Sequence, residues 1–181
     1  MIKILNELLL NNKNFRLYID YKRVEIEVSK LSKAITNDLS GKKPIFICIL
    51  SGAFIFAADL IRKFNFECYI SFVKLSSYKG NQTTGRISQI LGLDLEIENR
   101  HVVLVEDIVD SGTTLNYFLN ELKKLKPASI KIAALFHKHG VCLHPINIDY
   151  LGMNIENKFV VGYGLDFDGL GRNLKDIYIE I

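Results

Sequence analysis

Apolar runs alternate with amphipathic stretches along most of this chain. PIFICIL at residues 44–50 has the length and β-branched content of a strand buried on both faces. CYISFVKL (68–75), VVLV (102–105) and KIAALF (131–136) repeat that pattern. Helical periods lie between them. Ile26, Val28, Leu31, Ile35 and Leu39 recur at helical spacing within residues 25–39, with Gly41 behind them as a stop. Residues 54–64 read as a mostly apolar helix, and Leu115, Phe118, Leu119 and Leu122 mark one face of a third. Strands that alternate with helices predict an α/β fold with a largely parallel central sheet. Residues 159–162 predict one more short strand, the segment around Pro145 reads as irregular, and the terminal DIYIEI alternates like an edge strand. The opening MIKILNELLLNNKNF is apolar without a small-residue cleavage site and reads as a helix or an arm.

Composition narrows the picture. The 181 residues show no compositional break, which predicts a single domain over 1–181. Charges interrupt every long apolar run, so no bilayer-spanning segment and a cytoplasmic location are expected. Cys48, Cys68 and Cys142 are widely spaced, the pattern of free thiols rather than of disulfides or a metal knot. A formal charge of +3 is too small to argue for nucleic acid, and it suits a small polyanionic substrate.

The densest chemistry lies in HVVLVEDIVDSGTTL, residues 101–115. Glu106 and Asp107 follow the apolar run at what reads as its carboxyl end. Adjacent acids are costly to bury unless they hydrogen-bond something, and a diol such as ribose offers two hydroxyl donors to acceptor-only carboxylates. Asp110 comes next. Ser111, Gly112, Thr113 and Thr114 then supply hydroxyls and free N–H groups where a helix begins, an anion site by construction. Helix capping alone could account for Asp110 and Ser111. It does not account for two consecutive acids in register with the turn. The polar stretch SSYKGNQTTG (76–85) is long enough to be functional, although its bland alternative is an exposed hairpin tip. With Gly80, Gly85 and Arg86 it nearly matches a nucleotide-binding P-loop, but Arg86-Ile87 replaces the Lys-Ser/Thr that would touch phosphate and metal. An NTPase is therefore disfavoured.

The order of strand, acid pair, lone acid and phosphate turn resembles the phosphoribosyl pyrophosphate motif of type I phosphoribosyltransferases. Three further segments extend the resemblance to the hypoxanthine-guanine branch of that family: ILSGAFIFAADLIR (49–62), SSYKGNQTTG, and the region from KIAALFHK (131–138) to IDYLGMNIENKFVVGYGLDFDGLGRNL (148–174). The resemblance implies a type I phosphoribosyltransferase fold, with a largely parallel sheet flanked by helices, a small hood and a flexible catalytic loop. The implied reaction is purine salvage, in which the 5-phosphoribosyl group moves from phosphoribosyl pyrophosphate to N9 of hypoxanthine or guanine, giving IMP or GMP and pyrophosphate.

Residue roles follow by the same resemblance. Ser111, Gly112, Thr113 and Thr114 would cradle the 5-phosphate, and Glu106 and Asp107 would bind the ribose hydroxyls with their magnesium. Asp166 would serve a second magnesium. Gly52, the Leu50-Ser51 peptide in a cis geometry, and Arg172 would meet the pyrophosphate. Lys138 would donate to the 6-oxo group, Phe159 would stack on the purine, the backbone of Val160 would read its edge, and Asp166 would also belong to the purine site. Asp110 would act as general base, while Ser77 and Tyr78 would close over the pyrophosphate. Taken singly these residues have plainer roles: Phe159 as core, Lys138 and Arg172 as surface charges, Asp166 as a turn cap. The family commonly has lysine where this chain has Ser51, and a second glycine or serine where it has Ala53. A homodimer or homotetramer is implied. A xanthine-preferring transferase is a close alternative. A nucleic-acid-binding regulator that keeps the fold is a more distant one, for which the sequence offers no basic stripe.

Overall fold

The computed structural model describes residues 2–4, 7–77, 87–144 and 146–181. In chain order the elements are β1 (Ile2–Ile4), β2 (Glu7–Leu10), β3 (Lys13–Ile19), α1 (Tyr21–Leu39), β4 (Ile45–Leu50), α2 (Phe54–Ile61) and β5 (Tyr69–Ser77). They continue with β6 (Ile87–Leu91), β7 (His101–Val109), α3 (Thr113–Lys124), β8 (Ser129–Lys138), β9 (Tyr150–Ile155), β10 (Val160–Val161) and β11 (Ile177–Glu180). The larger sheet has the order β6-β5-β4-β7-β8-β9. Its five strands from β5 to β9 are parallel, and only the edge strand β6 runs antiparallel, against β5. This is the α/β fold with a largely parallel sheet that the sequence predicts. The smaller sheet, β1-β2-β3-β11-β10, is antiparallel throughout and forms the hood.

Alternation along the central strands places helices on both faces. Phe46, Cys48, Val103, Val105, Ala133 and Leu135 face one way and pack with Val24, Val28, Leu31 and Ile35 of α1 and Phe56 and Leu60 of α2. Their neighbours Ile45, Ile47, Val102, Leu104, Ile132 and Ala134 face the other way, against Leu115, Phe118 and Leu122 of α3. Strands covered on both faces read as continuous apolar runs, which is why these were legible.

Several boundaries differ from expectation. Helix α1 starts at Tyr21, four residues early, because Asp20 caps it by accepting from the Arg23 N–H at 2.9 Å; Val24 joins the buried stripe while Ile26 is 50% exposed. Helix α2 stops at Ile61, since Lys63 and Phe64 close tighter three-residue turns onto Leu60 and Ile61. The opening is neither helix nor arm but antiparallel strands, in which Leu10 pairs with Lys13 around Asn11 (φ 42°) and Asn12 (φ 63°), a two-residue hairpin turn. Strand β7 does not end before the acids; it runs through them to Val109. Strand β9 occupies part of the stretch that separates residues 131–136 from 159–162. Of 159–162 only Val160 and Val161 form a strand, and it belongs to the hood. Strand β11 is no edge: it lies between β3 and β10 and is buried along most of its length.

All three cysteines are free. Cys48 is fully buried, and burial pushes its thiol up to about 12. Among the described residues no helix is long and apolar enough to cross a membrane.

Candidate active site

From the adjacent pair β4 and β7 the chain runs outward in opposite directions, to β5 on one side and to β8 and β9 on the other. Such a reversal opens a crevice at the carboxyl ends of the two strands, the usual place for a ligand in an open α/β sheet. The Ser51-Gly52 turn follows β4, and residues 106–114 run from the carboxyl half of β7 into the start of α3.

Asp107 is 7% exposed and accepts from the Ile108 N–H at 2.9 Å. Burial pushes Glu106 well above the usual carboxylate range, and its closeness to Asp107 adds to this. Burial also raises Asp107, opposed by its hydrogen bonds and by the Arg172 charge. Two carboxylates so placed fit a hard divalent cation that keeps waters and takes further oxygens from a substrate. Among the described residues no three His, Cys, Asp or Glu side chains form a cage that would hold a metal unaided.

The Ser111–Thr114 turn, expected to take the 5-phosphate, lies just beyond. Gly112 adopts φ +74° immediately before α3, and the Thr113 N–H reaches the Ser111 hydroxyl at 3.4 Å. The Ser111 carbonyl accepts from the Leu143 N–H at 2.9 Å, which ties the turn to the segment after β8. A β-carbon on Gly112 would lie 2.7 Å from Ile146 Cδ1 and 2.8 Å from Cys142 Sγ.

Across the crevice, the Leu50–Ser51 peptide is cis. Gly52 presses on the acid pair so closely that a β-carbon there would sit 1.6 Å from Asp107 Oδ2. Gly164 in turn lies on Gly52, its own β-carbon position falling 2.1 Å from the Gly52 carbonyl oxygen. Arg172 Nη1 donates to the Gly164 carbonyl at 2.7 Å, and Nη2 pairs with Asp166 Oδ1 at 2.6 Å. Asp166 also accepts from the Gly169 N–H at 2.7 Å, so it is both a turn cap and an ion-pair partner. Gly52, Asp107, Asp166 and Arg172 thus share one corner. Gly164 was not singled out in the sequence, although the Gly-Tyr-Gly spelling at 162–164 was a usable signal of backbone in a left-handed region (φ +102° at Gly164).

Lys138, at the end of β8, is only 9% exposed and its Nζ donates to Asp110 Oδ2 at 2.8 Å. It is no ordinary surface charge. Because Val109 pairs with His137 in the parallel ladder, the strands deliver these next residues side by side. Phe159 is no core residue either, being 40% exposed on the hood with its ring edge-on to Phe167 at 5.6 Å. Val160 is buried and pairs with Ile179. Ser77 closes β5, whereas Tyr78 and the rest of the expected catalytic loop through residue 85 lie outside the described residues. A cavity of about 640 Å³ lies beside the carboxyl half of α3 and is lined by none of these groups.

The phosphoribosyl transferase domain model matches residues 18–168. The chain belongs to the phosphoribosyltransferase family. It is 38% identical over 157 residues to the hypoxanthine-guanine-xanthine phosphoribosyltransferase of Tritrichomonas foetus, covering 86% of each chain. It is 36% identical over 172 residues to the hypoxanthine-guanine phosphoribosyltransferase of Aquifex aeolicus, covering 94% of this chain and 97% of that one. Among solved structures, the hypoxanthine phosphoribosyltransferase of Staphylococcus aureus superposes with a TM-score of 0.87 at 34% identity, over 92% of this chain and 91% of that one. Within this phosphoribosyltransferase the matched region spans the acid pair, the phosphate turn, Lys138 and Asp166; Arg172 lies just beyond it.

Proposed function

We propose that this protein, as one phosphoribosyltransferase domain over 1–181, moves the 5-phosphoribosyl group from phosphoribosyl pyrophosphate to N9 of hypoxanthine or guanine, yielding IMP or GMP and pyrophosphate. The observation that carries this is the Lys138–Asp110 pair, 2.8 Å apart and directly before the phosphate turn. Lysine has donors and no acceptor, so Lys138 favours a 6-oxo oxygen over the amino group of adenine. Asp110 accepts the proton that the base gives up as its N9 bonds to C1 and the C1–oxygen bond to pyrophosphate breaks. Phe159 offers an exposed ring for stacking, and the Val160 backbone reads the neighbouring edge. Ser111, Gly112, Thr113 and Thr114 hold the 5-phosphate through N–H and hydroxyl donors. Ser51 and Gly52 present backbone, and Arg172 a planar cation, to the pyrophosphate. Glu106 and Asp107 orient the ribose hydroxyls. Magnesium, when bound by Glu106 and Asp107 with Asp166 at a second position, supplies charge neutralisation to substrate oxygens. Ser77 and Tyr78, carried over the site by their loop, exclude water and so suppress hydrolysis of the donor.

A panel of hypoxanthine, guanine, xanthine and adenine, assayed with the sugar donor and magnesium, tests this. IMP and GMP are the expected products. Adenine turnover at a comparable rate, or full activity in excess chelator, would overturn it. The xanthine arm answers the question raised by the Tritrichomonas relative, whose name includes that base. A cytoplasmic location and a homodimer or homotetramer complete the proposal, the latter checked by light scattering.

A further inference from the structure

Tyr163 occupies the left-handed backbone region (φ 51°) between Gly162 and Gly164. It is 2% exposed, and its hydroxyl crosses to α2, where it donates to Asp59 Oδ2 at 2.7 Å. Burial and the Asp59 carboxylate both push the phenol up, so it stays a donor at neutral pH. The bond joins residues 104 positions apart in the chain. Each partner belongs to a segment that reaches a different half of the corner described above. Helix α2 is short, begins just after the Gly52 turn, and has no side-chain cap of its own. Tyr163 adjoins Gly164, whose backbone rests on the Gly52 carbonyl and whose own carbonyl accepts from Arg172 at 2.7 Å. No slack exists at that contact, since even one methyl group would not fit. A shift of the Tyr163 backbone therefore moves Gly164, and with Gly164 move both the carbonyl that aims Arg172 and the surface against which the Gly52 turn is set.

We infer that Tyr163 and Asp59 are positioning residues, a clamp that holds the Gly52 turn against the loop bearing Asp166 and Arg172 so that a diphosphate group meets one preformed corner. This presupposes that the corner binds pyrophosphate, as proposed above. An ordinary core hydrogen bond would support folding alone. A clamp instead lowers the cost of ordering two backbone segments around a ligand, and it does so at one end of the substrate only.

Steady-state kinetics on Tyr163→Phe reads the difference. The KM for phosphoribosyl pyrophosphate is expected to rise about tenfold, and product inhibition by pyrophosphate to weaken by a similar factor. The KM for hypoxanthine and kcat stay within about twofold. Asp59→Ala should match Tyr163→Phe, Asp59→Asn, which keeps an acceptor oxygen, should recover most of the loss, and the double variant should be no worse than either single one. A donor KM that does not move while the melting temperature falls, or losses that add in the double variant, would overturn the clamp. Should Tyr163→Phe fail to fold, the contrast of Asp59→Ala with Asp59→Asn decides alone. Arg172→Gln separates the two claims. If it raises the donor KM and the clamp variants do not, the clamp is wrong; if it too leaves the donor KM unchanged, the corner does not bind pyrophosphate and both claims fall.

Discussion

The two ends of the crevice, which we propose meet the 5-phosphate and the pyrophosphate, are built by opposite means. At the phosphate end one unbroken stretch, residues 106–114, supplies acids, turn and helix start, and strand β7 beneath it is paired on both sides. At the pyrophosphate end the Gly52 turn must meet a loop from residues 162–172, and much of what joins them is backbone lying on backbone at Gly52 and Gly164. The first end announces itself through side chains. The second works largely through side chains that are missing, and it exists only when distant segments are correctly docked.

The largest expected effect attacks the docked end. In Gly52→Val the first added carbon would fall 1.6 Å from Asp107 Oδ2, within an acid that neighbouring atoms already confine. Activity is expected to fall by about a thousandfold or more in a protein whose circular dichroism is unchanged. Residual activity within about tenfold of the parent would show that the corner is looser than its backbone contacts indicate.

Asp110→Asn sits between the two ends and probes chemistry rather than construction. Turnover should drop by about a hundredfold with the donor KM nearly unchanged, because the general base is lost while the phosphate turn survives. A rise confined to the donor KM would reduce Asp110 to a helix-start residue.

Gly112→Ala is the mirror of the first variant at the contiguous end. Its new β-carbon would meet only the tips of Ile146 and Cys142, at 2.7 and 2.8 Å, which can yield, although the backbone at φ +74° disfavours any side chain by roughly 1 kcal/mol. We expect about a tenfold loss of donor affinity, partly restored by Cys142→Ala. Equal damage from the two glycine variants would break the comparison. The smallest effect is at Ser51, where the family commonly has lysine: Ser51→Ala should change kcat/KM by less than about tenfold, since the turn presents backbone. A larger loss would mean that the hydroxyl itself holds pyrophosphate.

What could be read in the sequence follows the same division. Strands β4, β7 and β8 were legible because both faces are covered, and residues 106–114 because their chemistry is consecutive. The hood was not. In ELLL the buried Leu8 and Leu10 flank Leu9, 38% exposed, so three leucines hide the alternation; only Asn11-Asn12 marked the hairpin. Strand β11 alternates in spelling but is covered on both sides by β3 and β10, a tertiary fact with no local trace. The Lys138–Asp110 pair depends on the register of β7 against β8, and the Gly164 contact on how a distant loop docks; neither is written in spacing.

Strand β11 pairs with β3, so the hood is closed by segments that lie far apart in the sequence. During synthesis the crevice strands and the Ser111–Thr114 turn are complete well before Ile177–Glu180 exist, whereas Phe159 and Val160 gain their backing only with strand β11. On the roles proposed above, the stacking surface for the base therefore rests on a pairing between distant segments, whereas the turn for the 5-phosphate rests on neighbouring strands.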